Sequence, residues 1–176
     1  MTFPDLLPAL LLAVLPALAV GGGMLLLTRQ FLDREYKRRL LELKMKNAET
    51  VLPIRFQAYE RICLLLERIT PSNLLVRLGG ANLTAGEYQR LLLTEIRAEY
   101  NHNVSQQVYM THEAWAAVKS ARENVVTLIN RSFHELPPHG RGTDLAKRIL
   151  EHVIEQEIDP TAPALARLKH ELAQVF

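Results

Sequence analysis

The sequence predicts an all-α protein: a single N-terminal transmembrane helix that continues into a basic juxtamembrane helix, followed by a compact bundle of about five helices. Three observations support this prediction. The first 28 of the 176 residues contain one charged side chain, Asp5. Later in the chain, apolar residues recur every three or four positions, which is typical of amphipathic helices. No stretch alternates apolar and polar residues clearly enough to predict a strand.

The composition limits the class of protein. Hydrophobic residues make up 48% of the chain and charged residues 23%. A chain of this composition is too apolar to be disordered and contains too many charged residues for a multi-pass membrane protein. The single cysteine, Cys63, excludes a disulfide framework and zinc sites that need two or more thiolates.

The predicted transmembrane helix covers residues 6–28, after a short N-terminus of residues 1–5. It is free of charge and contains ten leucines. At about 1.5 Å per residue it would reach roughly 34 Å, enough for a hydrocarbon core of about 30 Å. A cleaved signal peptide is the alternative, because Ala17-Leu18-Ala19 fits the cleavage pattern. The acidic N-terminus and the apolar residues after that site favour an uncleaved anchor.

Small residues recur at every fourth position of this helix, a spacing that lets two membrane helices approach closely. We therefore expect either a packing ridge for a second copy of the chain, giving a homo-oligomer, or a chance result of an alanine-rich composition. The ridge consists of Ala9, Ala13, Ala17 and Gly21.

Residues 29–52 are predicted to form a basic helical stalk. Residues 29–46 contain seven basic and three acidic side chains, whereas residues 47–176 contain 14 basic and 15 acidic ones. The positive-inside rule then places the C-terminal domain in the cytoplasm, at a bacterial inner membrane. We expect anionic headgroups of the lipid bilayer to contact the basic residues, and no nucleic acid to bind the near-neutral domain. The basic residues are Arg29, Arg34, Lys37, Arg38, Arg39, Lys44 and Lys46.

Leu32, Tyr36, Leu40 and Leu43 form an apolar stripe along the stalk. The stripe is too short to predict a coiled coil. Packing on the protein's own domain or on a second copy are the two interpretations.

Residues 53–176 are predicted to form the soluble helical domain. Pro53 is expected to interrupt the stalk helix, and Pro71 to end the next helix, whose inner face contains Tyr59, Ile62, Leu65, Leu66 and Ile69. Thr84 with Glu87 is the pattern of a capping box, and Thr111 is expected to cap a helix with a wide apolar stripe from Trp115 to Phe133. Residues 136–142 are expected to form a loop and to be locally disordered. Two more helices follow, beginning at Thr143 and Pro163.

The sequence contains no recognisable catalytic, cofactor-binding or metal-binding motif. His134, Glu135 and His139 resemble a zinc-protease motif, but the histidines are five residues apart and two prolines separate them. We expect no cofactor and a solvated loop there. The polar segment 99–109 is dense in amides, hydroxyls and imidazoles. It is either an ordinary helix connection or a partner contact through Tyr100, His102, Asn103, Gln106, Gln107 and Tyr109.

Several segments resemble a family of single-pass membrane proteins of unknown function from Bacteroidota. They are residues 57–62, 66–71, 73–77 and 102–109, with Trp115 and Leu128-Ile129-Asn130. The resemblance covers nearly the whole chain. It implies a bacterial inner-membrane location and no catalytic residue.

We therefore expect a membrane-anchored, non-catalytic interaction protein, either an adaptor or an assembly factor, whose helical domain binds an unidentified protein partner. Two alternatives stay open: a structural stalk-type subunit of a larger membrane complex, and an enzyme with an unrecognised site. The absence of site motifs argues against the enzyme.

Overall fold

The computed structural model describes residues 3–156 and 159–174, with the side chains of residues 3–11, 13, 17 and 156 excepted. Within these residues it contains α-helices and one 3₁₀ helix, Val104–Tyr109, and no strand. The prediction of an all-α protein is confirmed. The α-helices are α1 (Phe3–Ile69), α2 (Pro71–Leu78), α3 (Ala85–Asn103), α4 (His112–His134), α5 (Gly142–Gln156) and α6 (Ala162–Ala173).

The chain divides into two compact units, Met1–Val51 and Leu52–Phe176. The described part of the first unit is helix. The second unit contains the end of α1 and all the later helices. Its helices pack on one apolar core.

Pro53 does not interrupt the helix, so this prediction is wrong: α1 continues through it from Phe3 to Ile69. Proline removes one helical hydrogen bond and costs about 3 kcal/mol inside a helix. The carbonyl that lost its partner belongs to Glu49, which is exposed, so water can reach it. The residues that follow, including Tyr59 and Ile62, are buried in the core of the second unit. Tertiary packing of this kind outweighs a local preference.

The predicted inner face of the last turns of α1 is confirmed, since Tyr59, Ile62, Leu65, Leu66 and Ile69 are each at most 1% exposed. Pro71 was expected only to end a helix. It also begins α2, since the backbone at a first-turn position needs no hydrogen-bond donor and proline has none to offer. The sequence analysis missed this helix.

The predicted helix starts at Thr84 and Thr111 are confirmed. The Thr84 side chain accepts a hydrogen bond from the Glu87 backbone N–H, and the Glu87 carboxylate accepts one from the Thr84 N–H. The Thr111 hydroxyl likewise accepts a bond from the Ala114 N–H at 3.1 Å. These bonds satisfy donors that a helix start would otherwise leave unpaired.

The segment between α4 and α5 is ordered by backbone hydrogen bonds, which contradicts the expectation of local disorder. The Ala85 N–H donates to the Gly140 carbonyl at 2.9 Å, and the Gly142 N–H donates to the Leu83 carbonyl at 2.7 Å. A Cβ atom at Gly142 would collide with the carbonyl oxygen of Gly80. Glycine at position 142 therefore allows the two backbones to approach closely.

Candidate functional site

The apolar segment of α1 presents large hydrophobic side chains that are mostly exposed in the part of the first unit that the structure describes. Leu12, Leu15 and Leu18 are 60% to 76% exposed, and Leu25 to Leu27 are 62% to 69% exposed. At the end of this segment the Thr28 hydroxyl donates to the Met24 carbonyl at 2.8 Å, which satisfies the hydroxyl within the helix itself. Within the described residues, one helix is long and apolar enough to span a membrane.

The proposed small-residue ridge falls mostly outside the described residues. The side chains of Ala9, Ala13 and Ala17 are not part of the described structure. Gly21 is exposed, and a Cβ atom built on it would meet no atom within 4 Å. The homo-oligomer thus stays a prediction.

The basic stalk residues fall into two groups. Two of them form exposed ion pairs one helical turn away: Arg38 with Glu42 at 2.9 Å, and Arg39 with Glu35 at 3.0 Å. The other five form no ion pair with any residue that the structure describes: Arg29, Arg34, Lys37, Lys44 and Lys46. Exposed pairs of this spacing stabilise a helix by only about 0.3–0.5 kcal/mol. All seven cations are therefore accessible to an anionic surface.

The apolar stripe of the stalk is exposed in the first unit. Leu32, Tyr36, Leu40 and Leu43 are 42% to 70% exposed.

The polar segment 99–109 is divided by its contacts. Asn103 is buried, and its side-chain amide donates to the Glu99 carbonyl at 2.9 Å. The Tyr100 ring lies 5.5 Å from the Trp115 ring and is covered by the Arg122 guanidinium at 4.1 Å. These two residues therefore serve the fold of the second unit.

The other four predicted contact residues of this segment are at least partly exposed. His102 and Gln107 are exposed, Gln106 is half-buried, and Tyr109 is 38% exposed. The Tyr109 carbonyl accepts a hydrogen bond from Arg55 Nε at 3.2 Å, which fixes the 3₁₀ helix beside α1. Next to Tyr109, Val108 is 79% exposed. The accessible surface of the segment thus combines amide and imidazole groups with an apolar side chain.

A buried polar cluster between α4 and α5 was missed by the sequence analysis. His152 is 2% exposed, and its Nδ1 lies 3.0 Å from the Oγ of the fully buried Ser132. Its Nε2 lies 3.1 Å from a Glu135 carboxylate oxygen, although the angle does not make a regular hydrogen bond. Arg148 binds the same carboxylate through Nε at 2.6 Å. Glu135 is exposed, as expected for a solvated segment, and it is also an ion-pair acceptor.

A serine, a histidine and a carboxylate in contact invite comparison with a hydrolase triad. In such a triad the hydroxyl must reach a substrate. Ser132 is fully buried, so its hydroxyl cannot do so in this structure. The cluster joins two helices. A signal for it existed in the sequence, since Ser132 and His152 occupy core positions of otherwise apolar helix faces.

The described residues offer little for metal or thiol chemistry. Among them, no three His, Cys, Asp or Glu side chains come together in a way that could hold a metal ion. Partial burial raises the pKa of the Cys63 thiol, which lowers the fraction present as the reactive thiolate.

The structure thus defines an all-α protein with one helix long and apolar enough to span a membrane. The chain belongs to a family of unknown function, DUF7935, whose model matches residues 5–175. No curated protein and no solved structure matches it.

Proposed function

We propose that this protein is a single-pass membrane-anchored interaction protein, an adaptor or assembly factor with no catalytic role. The observation that supports it most directly is the apolar segment of α1. Leucines in a water-soluble unit are normally covered, and burial is worth roughly 1.5–3 kcal/mol for each large apolar side chain. Leu12, Leu15 and Leu18 are instead exposed, and lipid would supply the missing cover.

The cytoplasmic side of a bacterial inner membrane is proposed for the second unit. Seven basic residues follow the apolar segment, and no basic residue precedes it. Because positive residues next to a span are retained in the cytoplasm, this asymmetry favours an N-terminus outside and a C-terminus inside. The cations without an intrahelical ion pair are available to anionic headgroups near the membrane.

A protein partner at the second unit is proposed from what its surface offers. The exposed part of the segment 102–109 presents imidazole and amide groups beside Val108, a combination found at transient protein interfaces. The buried cluster of Ser132 and His152 offers no access to a substrate. Binding, and not catalysis, is the function that this surface supports best.

A stalk-type subunit of a larger membrane complex is the second candidate. It is favoured by one observation, the continuity of α1 from Phe3 through Pro53 to Ile69. A long helix that begins with an apolar segment is typical of a stalk-type subunit.

Membrane extraction tests the anchor. We expect the full chain to stay in the membrane fraction after an alkaline carbonate wash, because a spanning helix is held by lipid and not by charge. Replacing Leu15→Arg together with Leu18→Arg should release the protein, since a centrally placed arginine costs about 2.5–3.5 kcal/mol on insertion.

The matched control is Leu41→Arg with Leu43→Arg, two leucines of similar exposure in the stalk. This variant should stay in the membrane fraction. Release of the unmodified chain by carbonate, or equal behaviour of the two double variants, would rule out the anchor. The intact mass of the membrane-bound protein separates an uncleaved anchor from a signal peptide cut after Ala19.

A further inference from the structure

A pocket of about 650 Å³ lies between the first turns of α3 and the segment that follows α4. Its lining includes Gly86, Arg90, Phe133, His134 and His139. Cavities of about 300–1,000 Å³ are the usual size of small-molecule sites. The pocket does not involve the apolar helix or the segment 102–109, so it is separate from the proposed anchor and partner surface.

The walls of the pocket are held in place before any ligand binds. Backbone hydrogen bonds from Ala85 N–H to the Gly140 carbonyl, at 2.9 Å, and from Gly140 N–H to the Pro137 carbonyl, at 3.0 Å, fix one wall against the other. Proline at positions 137 and 138 restricts the backbone further. A preformed cavity loses little conformational entropy on binding, which favours affinity.

The polar side chains around the pocket are one guanidinium, two imidazoles and one hydroxyl. Arg90 is exposed and forms no hydrogen bond or ion pair with any residue that the structure describes, His134 and His139 supply the imidazoles, and Thr84 supplies the hydroxyl. No aspartate or glutamate is among the described lining residues. The Glu87 carboxylate, one turn before Arg90 and outside the lining, accepts two hydrogen bonds from Thr84, and its charge also interacts with that of Arg90.

The remaining wall of the pocket is apolar. Phe133, Leu136 and Pro137 line it. An aromatic or aliphatic body could therefore leave water against this wall while a charged group of the same ligand binds Arg90.

We propose that this pocket binds a small organic anion, a phosphate or carboxylate group carried on an apolar body. The anionic group would bind the Arg90 guanidinium, whose planar set of donors matches two oxygens of a carboxylate or phosphate. The apolar body would lie against Phe133. An exposed guanidinium beside a fixed apolar wall, with no carboxylate among the described lining residues, is the arrangement that supports this ligand class.

Calorimetric titration of the full chain in dodecyl maltoside, a detergent without phosphate or carboxylate, tests the proposal. The probes are phenyl phosphate and benzoate, with phenol as the uncharged match. We expect one or both anions to bind and phenol not to bind. Arg90→Gln should weaken the binding of the anion at least about tenfold, because a hydrogen-bonded charge pair is lost.

The matched control is Arg97→Gln. Arg97 is also an exposed arginine of α3 without an ion pair among the described residues, but it lines a different pocket. This variant should bind the anion like the unmodified chain. The proposal is overturned if neither anion binds, if phenol binds equally well, or if Arg97→Gln weakens binding as much as Arg90→Gln. Unchanged melting temperatures of both variants verify that the fold is intact.

Discussion

The Glu135 carboxylate is the acceptor that joins α4 and α5 by charge. Arg148 donates to it through Nε at 2.6 Å, Arg131 approaches it at 3.2 Å, and His152 Nε2 lies 3.1 Å away. The hydrogen bond from Arg148 is the main reason that the pKa of Glu135 lies below its usual value. The ionised form of Glu135 is therefore more stable in the folded protein than in the unfolded chain.

This pKa shift predicts an acid-dependent loss of stability at a single residue. Above the usual carboxyl pKa of 4.5, Glu135 is ionised in both states and its stabilising contribution is fully present. As the pH falls below 4.5 the unfolded chain takes up the proton first, so the contribution is lost. Glu135→Gln should lower the melting temperature by a few degrees at pH 7, and the difference should shrink towards pH 3.

Thermal melts of the full chain in detergent, followed by circular dichroism, measure this difference. Glu60→Gln is the control, because Glu60 is exposed and forms no ion pair with a described residue. This variant should have the same melting temperature as the unmodified chain at both pH values. A Glu135→Gln deficit that persists unchanged at pH 3 would contradict the electrostatic explanation.

At the scale of the element, amphipathic faces, caps and the helix start at Pro163 could be predicted from the sequence, and the effect of Pro53 could not. The inner face from Tyr59 to Ile69 and the capping box at Thr84 depend on residues a few positions apart, so local spacing is enough to find them. Pro53 was misjudged because the packing of the residues after it involves distant parts of the chain. The intrinsic helix propensity of a residue predicts helix ends poorly where tertiary contacts stabilise the helix.

The ordered segment between α4 and α5 and the Ser132–His152 contact escaped prediction for a related reason. Gly140 and Gly142 bond to residues more than 50 positions earlier, and His152 contacts a serine 20 positions away. A periodic pattern in the sequence cannot predict contacts between residues this far apart in the chain. What the sequence does show is a polar residue at a core position of an apolar face, which indicates a buried partner without saying which residue it is.

The orientation of α1 is a prediction at the same scale. With seven basic residues after the apolar segment and none before it, we expect the C-terminus to lie in the cytoplasm. Alkaline phosphatase, which is active only in the periplasm, should be silent when fused after Phe176, and green fluorescent protein fused there should be bright. Changing Lys37, Arg38 and Arg39 to glutamine should weaken this preference. A strong phosphatase signal from the unmodified chain would show the opposite orientation.

For the whole molecule, we expect the proposed partner to bind transiently. Permanent interfaces are large and apolar, whereas transient ones resemble ordinary surface. The large hydrophobic residues exposed on the second unit come from α1, α2, α3, the 3₁₀ helix and α5, so no single helix supplies them. Such a distribution favours an adaptor that binds and releases its partner over a fixed subunit.

Affinity purification from membranes solubilised in neutral detergent distinguishes these two functions. We expect the partner to be recovered in less than equimolar amount and to be reduced severalfold by Val108→Glu, because a charge on the exposed face of the 3₁₀ helix would have to be desolvated in the interface. Val76→Glu is the matched control: Val76 is 87% exposed against 79% for Val108, but lies on α2. An equimolar complex that survives gel filtration would instead identify a structural subunit. Equal recovery with the two variants would show that the partner does not contact the 3₁₀ helix.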